Sequence, residues 1–416
     1  MAIEKLIYEA DGNRLVQKFI LFGLVLICVY PYLSCCAFFI FALFFGKKGR
    51  YDSARWVAYA LAVSGIVTVC LVNVTKVPES DLLWYVKAFG YSKDYEFSDF
   101  ILFGSTSTTV KSGKEPLYGA IVWVMNRLLM GRVDLFKFFM SMVEYLFLTV
   151  SVFYLGKKFK ATLSTIVIGL MLFFFFPYIF TMSLHIVRQF LANSFVVLVL
   201  VLVCFSSIPK KYLIPLSVLP PLIHSTAFIF IPFFFIPALE YEFKEKKIWY
   251  IGVVLLMISI QKVSSITSMF VGESSSLGYA LSRASRDTYY DLGTMSLSKI
   301  VLVAAIALLA MYIGQFSELK RNKGVVRFCN VIFFLGVFVL LSIKQSELSN
   351  RMYFYTLLFF PLLLMLASLV WTKLKYALIL LSFFCLVYFP FFLQTGTWKY
   401  ALPDSIWLIS LLNLFN

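Results

Sequence analysis

Residues 183–211 read SLHIVRQFLANSFVVLVLVLVCFSSIPKK. A polar turn carrying His185 and Arg188 runs into an apolar stretch and leaves it through Lys210 and Lys211. From Phe195 to Phe205 no polar residue interrupts the run, so the polar stripe of a soluble helix is missing. An element that is apolar on every side suits hydrocarbon, which takes about 20 such residues to cross about 30 Å. The lysine pair marks the cytoplasmic end, because Lys and Arg resist translocation. His185 and Arg188 then belong to the outward end.

The same pattern repeats along the chain. Apolar segments fall at roughly 19–45, 56–74, 134–155, 162–180, 190–206, 213–223, 225–239, 248–266, 299–315, 328–343, 353–371 and 377–394. Every second connector is short and basic: Lys47/Lys48/Arg50/Arg55, Lys157/Lys158/Lys160, Lys210/Lys211, Lys244/Lys246/Lys247, Lys320/Arg321/Lys323/Arg327 and Lys373/Lys375. Placing all of these inside predicts about 12 transmembrane helices with the N-terminus outside. Parity then has two consequences. Residues 116–131 (PLYGAIVWVMNRLLMG) form an interfacial or re-entrant helix that closes a long outer loop, 75–133. Between Tyr212 and Glu240 the chain is too short for two ordinary crossings, and Pro220-Pro221 precede His224. This predicts a short bent hairpin with His224 at its tip, a backbone break tolerated only where it lines a protein or water-filled cavity.

Composition bounds the rest. Of 416 residues, 61% are hydrophobic and 14% charged, and the mean hydropathy is +0.88. A soluble surface cannot be made from so few charges. The prediction is an all-α polytopic integral membrane protein, one transmembrane domain over 1–416 with outer loops at 75–133 and 267–298. The formal charge of +16 is dispersed among the spans and forms no aromatic-interleaved patch, which argues against nucleic acid and for anionic lipids as partners. All seven cysteines lie in apolar segments, so neither disulfides nor a metal site is expected. Residues 1–18 mix acids with bases ahead of a long apolar run, unlike a cleavable signal.

The candidate chemistry collects on the outward connectors. Arg188, followed by Gln189, offers a fixed positive charge with the forked geometry that suits phosphate; a snorkelling arginine is the plain alternative. His185 precedes it by three positions and shares its face if the helix has begun by then. His224 is the other histidine, and each is a candidate general base or a structural hydrogen-bonding residue. Arg283 and Arg286, beside Tyr289, Tyr290 and Asp291, make a possible anion clamp in the second outer loop, against a solvated charge pair as the alternative. Arg351 opens its span from outside, as Arg188 does. Asp81 and Tyr85 stand in ESDLLWY, and Glu115 precedes Pro116, where a carboxylate is also simply a good helix-start residue. Glu144 lies deep in a span, so it is expected to be neutral or paired with an arginine or His224. A Walker loop, a histidine-rich metal constellation and a G-x-S-x-G elbow are all missing, and no cytoplasmic connector is large enough for a nucleotide-sugar fold. An enzyme of this design takes an activated, membrane-borne substrate.

Four of these elements, in this order, resemble the Wzy-type polymerases of O-antigen and exopolysaccharide, especially the EpsG-like branch. They are Asp81 with Tyr85, Glu115-Pro116, Arg188-Gln189 with Ala192, and His224-Ser225. Ser80 and Leu82 stand where that family shows Gly or Thr and a second Tyr. The resemblance implies a GT-C-like fold and a multi-pass protein of the bacterial inner membrane, its active site facing the periplasm. It implies polymerisation of oligosaccharide repeat units on undecaprenyl pyrophosphate, without cofactor or metal, and allows a chain-length regulator as a further partner. In that setting Arg188, with Gln189, Tyr85 and Tyr289, and with Arg283/Arg286 or Arg351, holds pyrophosphate and sugar. His224 or His185 activates the acceptor hydroxyl, with Asp81 or Glu115 as the rival base. A flippase for the same lipid-linked unit is the alternative from another class; it predicts internal repeats and midplane charges, whereas the sequence shows no repeat and its charges sit at one face instead of along a transmembrane path. An O-antigen ligase shares the substrate and the outward arginines.

Overall fold

The computed structural model describes residues 21, 23, 25–46, 51–102, 115–255, 295–343, 345–396, 398–401, 406 and 409–414. Among them the regular structure is helical. Among the described residues, seven helices are long and apolar enough to cross a membrane: Arg55–Val74, Val133–Lys158, Val187–Phe205, Leu297–Gln315, Lys323–Leu341, Glu347–Val370 and Thr372–Thr395. Four shorter apolar helices are Pro31–Phe44, Leu163–Phe175, Lys211–Ile223 and Ser225–Phe235. Each of the eleven falls on a stretch that hydropathy assigned to a span. The twelfth stretch, 248–266, begins as helix and then passes outside the described residues at 256.

The short helices are short for local reasons. The 162–180 stretch is one apolar run in sequence, but its helix stops at Phe175 and a second, Pro177–Met182, starts on the proline. A proline there lacks the N–H that would continue the ladder and suits a first helical turn. At about 1.5 Å per residue, the 13-residue Leu163–Phe175 helix covers about 20 Å, less than the hydrocarbon thickness. The helix Lys210–Ile223 holds Pro215, Pro220 and Pro221 and ends at His224, whose backbone is extended (φ −149°, ψ 124°). A 3-10 turn, Ser225–Ile229, and the helix Phe230–Phe235 follow. The histidine thus occupies the break between two helical pieces.

The chain divides into two compact units. The first comprises residues 1–79, 132–185 and 371–416. Its helices pack closely at Gly65, where an added Cβ would meet the Phe174 ring at 2.3 Å. Its buried polar groups form a knot at the end of the Tyr51–Val74 helix. The Asn73 amide donates to the hydroxyls of Ser141 (3.0 Å) and Ser183 (2.8 Å). Ser183 in turn donates to Glu144 Oε2 at 3.0 Å, so of the two expectations for this buried acid, neutral or paired with an arginine or His224, the pairing is not the one found: its hydrogen-bond partner is a hydroxyl. Lys137 Nζ donates to the carbonyls of Val74 (3.1 Å) and Lys76 (2.7 Å), satisfying acceptors that a helix end leaves open.

The second unit comprises residues 80–131 and 186–370. Leu297–Gln315 and Lys323–Leu341 approach closely where Gly336 faces Ala307, since a Cβ at that glycine would come within 2.8 Å. Small residues of this kind let membrane helices approach backbone to backbone. The 116–131 stretch forms the helix Pro116–Leu128, after the helices Ser80–Tyr91 and Phe97–Leu102. It is pinned to the preceding segment by polar side chains. Asn126 donates to Phe89 O (2.6 Å), Trp123 Nε1 to Tyr95 O (3.0 Å), and Arg127 to Ser92 O (2.7 Å). The 256–294 stretch, with most of the predicted second outer loop, lies outside the described residues.

Candidate functional site

Glu115 stands at the start of the Pro116–Leu128 helix but makes no capping hydrogen bond. Its carboxylate reaches across the second unit. Oε2 accepts from Arg188 Nη1 at 2.5 Å, and Oε1 accepts the Ser225 backbone N–H at 3.1 Å. The helix-start explanation for this acid therefore fails, because its oxygens serve two other segments. Arg188 lies in the first turn of the Val187–Phe205 helix, and its guanidinium carbon sits 5.4 Å from the Tyr85 ring and 5.8 Å from Tyr118. Those two rings meet edge-on at 6.0 Å. Burial holds the Tyr85 hydroxyl above its usual range, against the opposing pull of Arg188.

A second arginine joins the same cluster from another helix. Arg351 Nε and Nη2 both donate to Glu347 Oε1, at 3.0 and 2.8 Å. Glu347 is one helical turn earlier, the spacing at which side chains on one face meet. Arg351 Nη1 reaches Gln189 Oε1 and His224 Nε2, both at 3.2 Å, while Gln189 Nε2 donates back to Arg351 O at 3.0 Å. Glu115 Oε1 is 3.9 Å from His224 Nε2. Two arginines, two carboxylates, a glutamine and a histidine thus form one linked network.

The network is uneven in its access. The Arg188 and Arg351 side chains keep 21% and 22% of their surface open, whereas Glu115 and Glu347 keep 5% and 9%. An incoming anion would meet the guanidiniums before it met the acids. Charge-assisted, forked hydrogen bonding of this kind is what phosphate oxygens accept best.

On its other side, His224 Nδ1 lies 2.7 Å from Thr226 Oγ1, and that hydroxyl lies 3.1 Å from Tyr355 OH. Thr226, Tyr355, Glu347 and Tyr118 are the residues that reading the sequence missed. A signal for two of them was present: Glu347, Arg351 and Tyr355 recur at four-residue spacing and so share one face of one helix. Thr226 and Tyr118 carried no such mark.

Of the residues singled out in sequence, Glu115, Arg188, Gln189, His224, Arg351 and Tyr85 come together. Asp81 lies exposed in the first turn of the Ser80–Tyr91 helix, one turn from Tyr85, and hydrogen-bonds to none of the cluster among the described residues. His185 does not share a helical face with Arg188, because that helix begins at Val187, after a non-helical Ile186 (φ −118°, ψ 57°). Its ring lies on Trp398, centroids 3.8 Å apart, in the first unit. Burial, reinforced by Lys76, brings the His185 imidazole down to about 4. Arg283, Arg286 and Tyr289 lie outside the described residues.

No curated protein and no solved structure matches the chain. The model of the EpsG family matches residues 58–405, a stretch that contains every member of the cluster. With most of its length matched, the chain belongs to the EpsG family, a family of Wzy-like polymerases.

Proposed function

We propose that this protein polymerises oligosaccharide repeat units carried on undecaprenyl pyrophosphate, at the outward face of the bacterial cytoplasmic membrane. The carrying observation is the pair Arg188 and Arg351, on separate helices, linked through Glu115 and His224 and more open to an incoming anion than their carboxylates. The alternating basic connectors support the outward placement.

In this reading the pyrophosphate of the growing chain takes Arg188 and Arg351 from Glu115 and Glu347. The acceptor hydroxyl of a second lipid-linked unit attacks the anomeric carbon. A carbon–oxygen bond forms to the acceptor, and the bond from the anomeric carbon to pyrophosphate breaks. The electron pair leaves with undecaprenyl pyrophosphate, whose negative charge the two guanidiniums stabilise, a role that a metal ion serves elsewhere. His224 Nε2, no longer held by Arg351, takes the hydroxyl proton. Glu115, 3.9 Å from that nitrogen, stabilises the imidazolium that results.

Purified protein in proteoliposomes, supplied with its lipid-linked repeat unit, tests the reading. Glycan spaced by one repeat unit is expected from the wild type and loss of it from Arg188→Ala, Arg351→Ala and His224→Ala. Unchanged polymer from the three variants would remove the cluster from the reaction.

A further inference from the structure

Arg351 determines what the proposed base can do. A guanidinium offers hydrogen-bond donors and no acceptor, so His224 Nε2, 3.2 Å from Arg351 Nη1, must accept. A neutral imidazole has one N–H, which then sits on Nδ1. Nδ1 faces Thr226 Oγ1 at 2.7 Å, well placed to donate, and the threonine hydroxyl passes its own proton toward Tyr355 OH at 3.1 Å. A competing contact exists: the Thr226 backbone N–H points at Nδ1 from 3.4 Å, which would favour the opposite tautomer. That bond is long, whereas the opposite tautomer sets an Nε2–H against an arginine N–H at 3.2 Å. The Arg351 donor at Nε2 and the short Thr226 Oγ1 contact at Nδ1 together outweigh it, so the Nδ1–H form prevails.

We infer that Thr226 and Tyr355 are positioning residues that hold His224 as the Nδ1–H tautomer and keep Nε2 as its proton-accepting nitrogen. The use made of that nitrogen rests on the polymerase reading; the tautomer itself does not. The chain of three groups spans two segments, since Thr226 is the second residue of the 3-10 turn after His224 and Tyr355 lies on the Ser346–Val370 helix, one turn beyond Arg351. One helix therefore supplies both the group that occupies Nε2 and the far end of the relay that fixes Nδ1. Fixing the tautomer of a base through its second nitrogen is how an imidazole is kept ready for one direction of proton transfer.

The experiment is nitrogen NMR of histidine-labelled protein in lipid nanodiscs. The chain has two histidines, so His185→Asn leaves His224 as the single signal. We expect a protonated Nδ1 and an unprotonated Nε2 near neutral pH. Thr226→Val is expected to mix the tautomers and to lower kcat roughly 10- to 100-fold with KM little changed, less than loss of the base itself at about 10²–10⁴. Thr226→Ser should restore both readouts, which a merely space-filling threonine would not explain. A protonated Nε2 in the otherwise native protein, or an unaltered tautomer in Thr226→Val, would overturn the inference. The NMR needs no substrate, so a protein with the expected tautomer that makes no polymer would contradict the function and leave the positioning intact.

Discussion

Glu115 Oε2 and Arg188 Nη1 lie 2.5 Å apart across 73 positions of sequence. The pair ties the start of the Pro116–Leu128 helix to the first turn of the Val187–Phe205 helix. It leaves a carboxylate where a substrate phosphate is proposed to bind, so the cluster is charge-balanced by its own side chains and binding is an exchange of partners. Glu115→Gln keeps the shape and removes that competitor. Both KM for the lipid-linked unit and kcat should fall, the latter by about tenfold as the imidazolium loses its neighbour. Steady-state kinetics in proteoliposomes check this. A raised KM with unchanged kcat would mean that Glu115 binds substrate directly.

Arg188→Ala should cost on the order of 3 kcal/mol in the transition state, about two decades of turnover. Arg188→Lys should recover little, because a point charge does not replace the fork. Polymer length on gels, at matched protein level, is the measurement. Normal length in Arg188→Ala would take the residue out of the mechanism.

Glu347 and Arg351 form a largely buried pair, with 9% and 22% of their side chains open. Removing one member leaves a charge without its partner, at about 1–3 kcal/mol. Glu347→Ala should therefore lower the melting temperature in detergent. A double-mutant cycle with Arg351→Ala should show a coupling of about 1 kcal/mol or more. Additive effects would mean that the pair contributes nothing.

How much of this was legible beforehand follows from the range of each interaction. Apolar runs reveal themselves within one window, so helices such as Val187–Phe205 and Lys323–Leu341 were plain in sequence. The backbone break at His224 was also plain, because Pro220 and Pro221 act locally. Glu115 was visible as a candidate, but nothing near it in sequence says that it pairs with Arg188. Thr226 and Tyr355 join His224 only through tertiary packing. His185 misled because proximity in sequence to Arg188 suggested a shared face that the helix start at Val187 removes. Lys76 is 1% exposed, and nothing local in the sequence marks its burial.

Lys76 gives a pH signature independent of the site. Burial brings its ammonium down to about 7, with Glu144 pulling it back up and Lys137 pushing it further down. Between about pH 7 and its ordinary value near 10.5 the unfolded chain holds this proton and the folded protein does not. Its contribution to stability therefore rises with pH across that window, by at most about 1.4 kcal/mol per pH unit. Lys76→Met should flatten the curve of melting temperature against pH from 7 to 10. Parallel curves for the two proteins would show that the amine stays charged when folded.

The most direct test of the central claim is reconstitution of the purified protein with its lipid-linked repeat unit, reading products by gel or mass spectrometry. The account predicts a ladder spaced by one repeat unit, dependent on Arg188 and His224. Movement of the intact lipid between leaflets with no glycan longer than one unit would contradict it and make the protein a transporter.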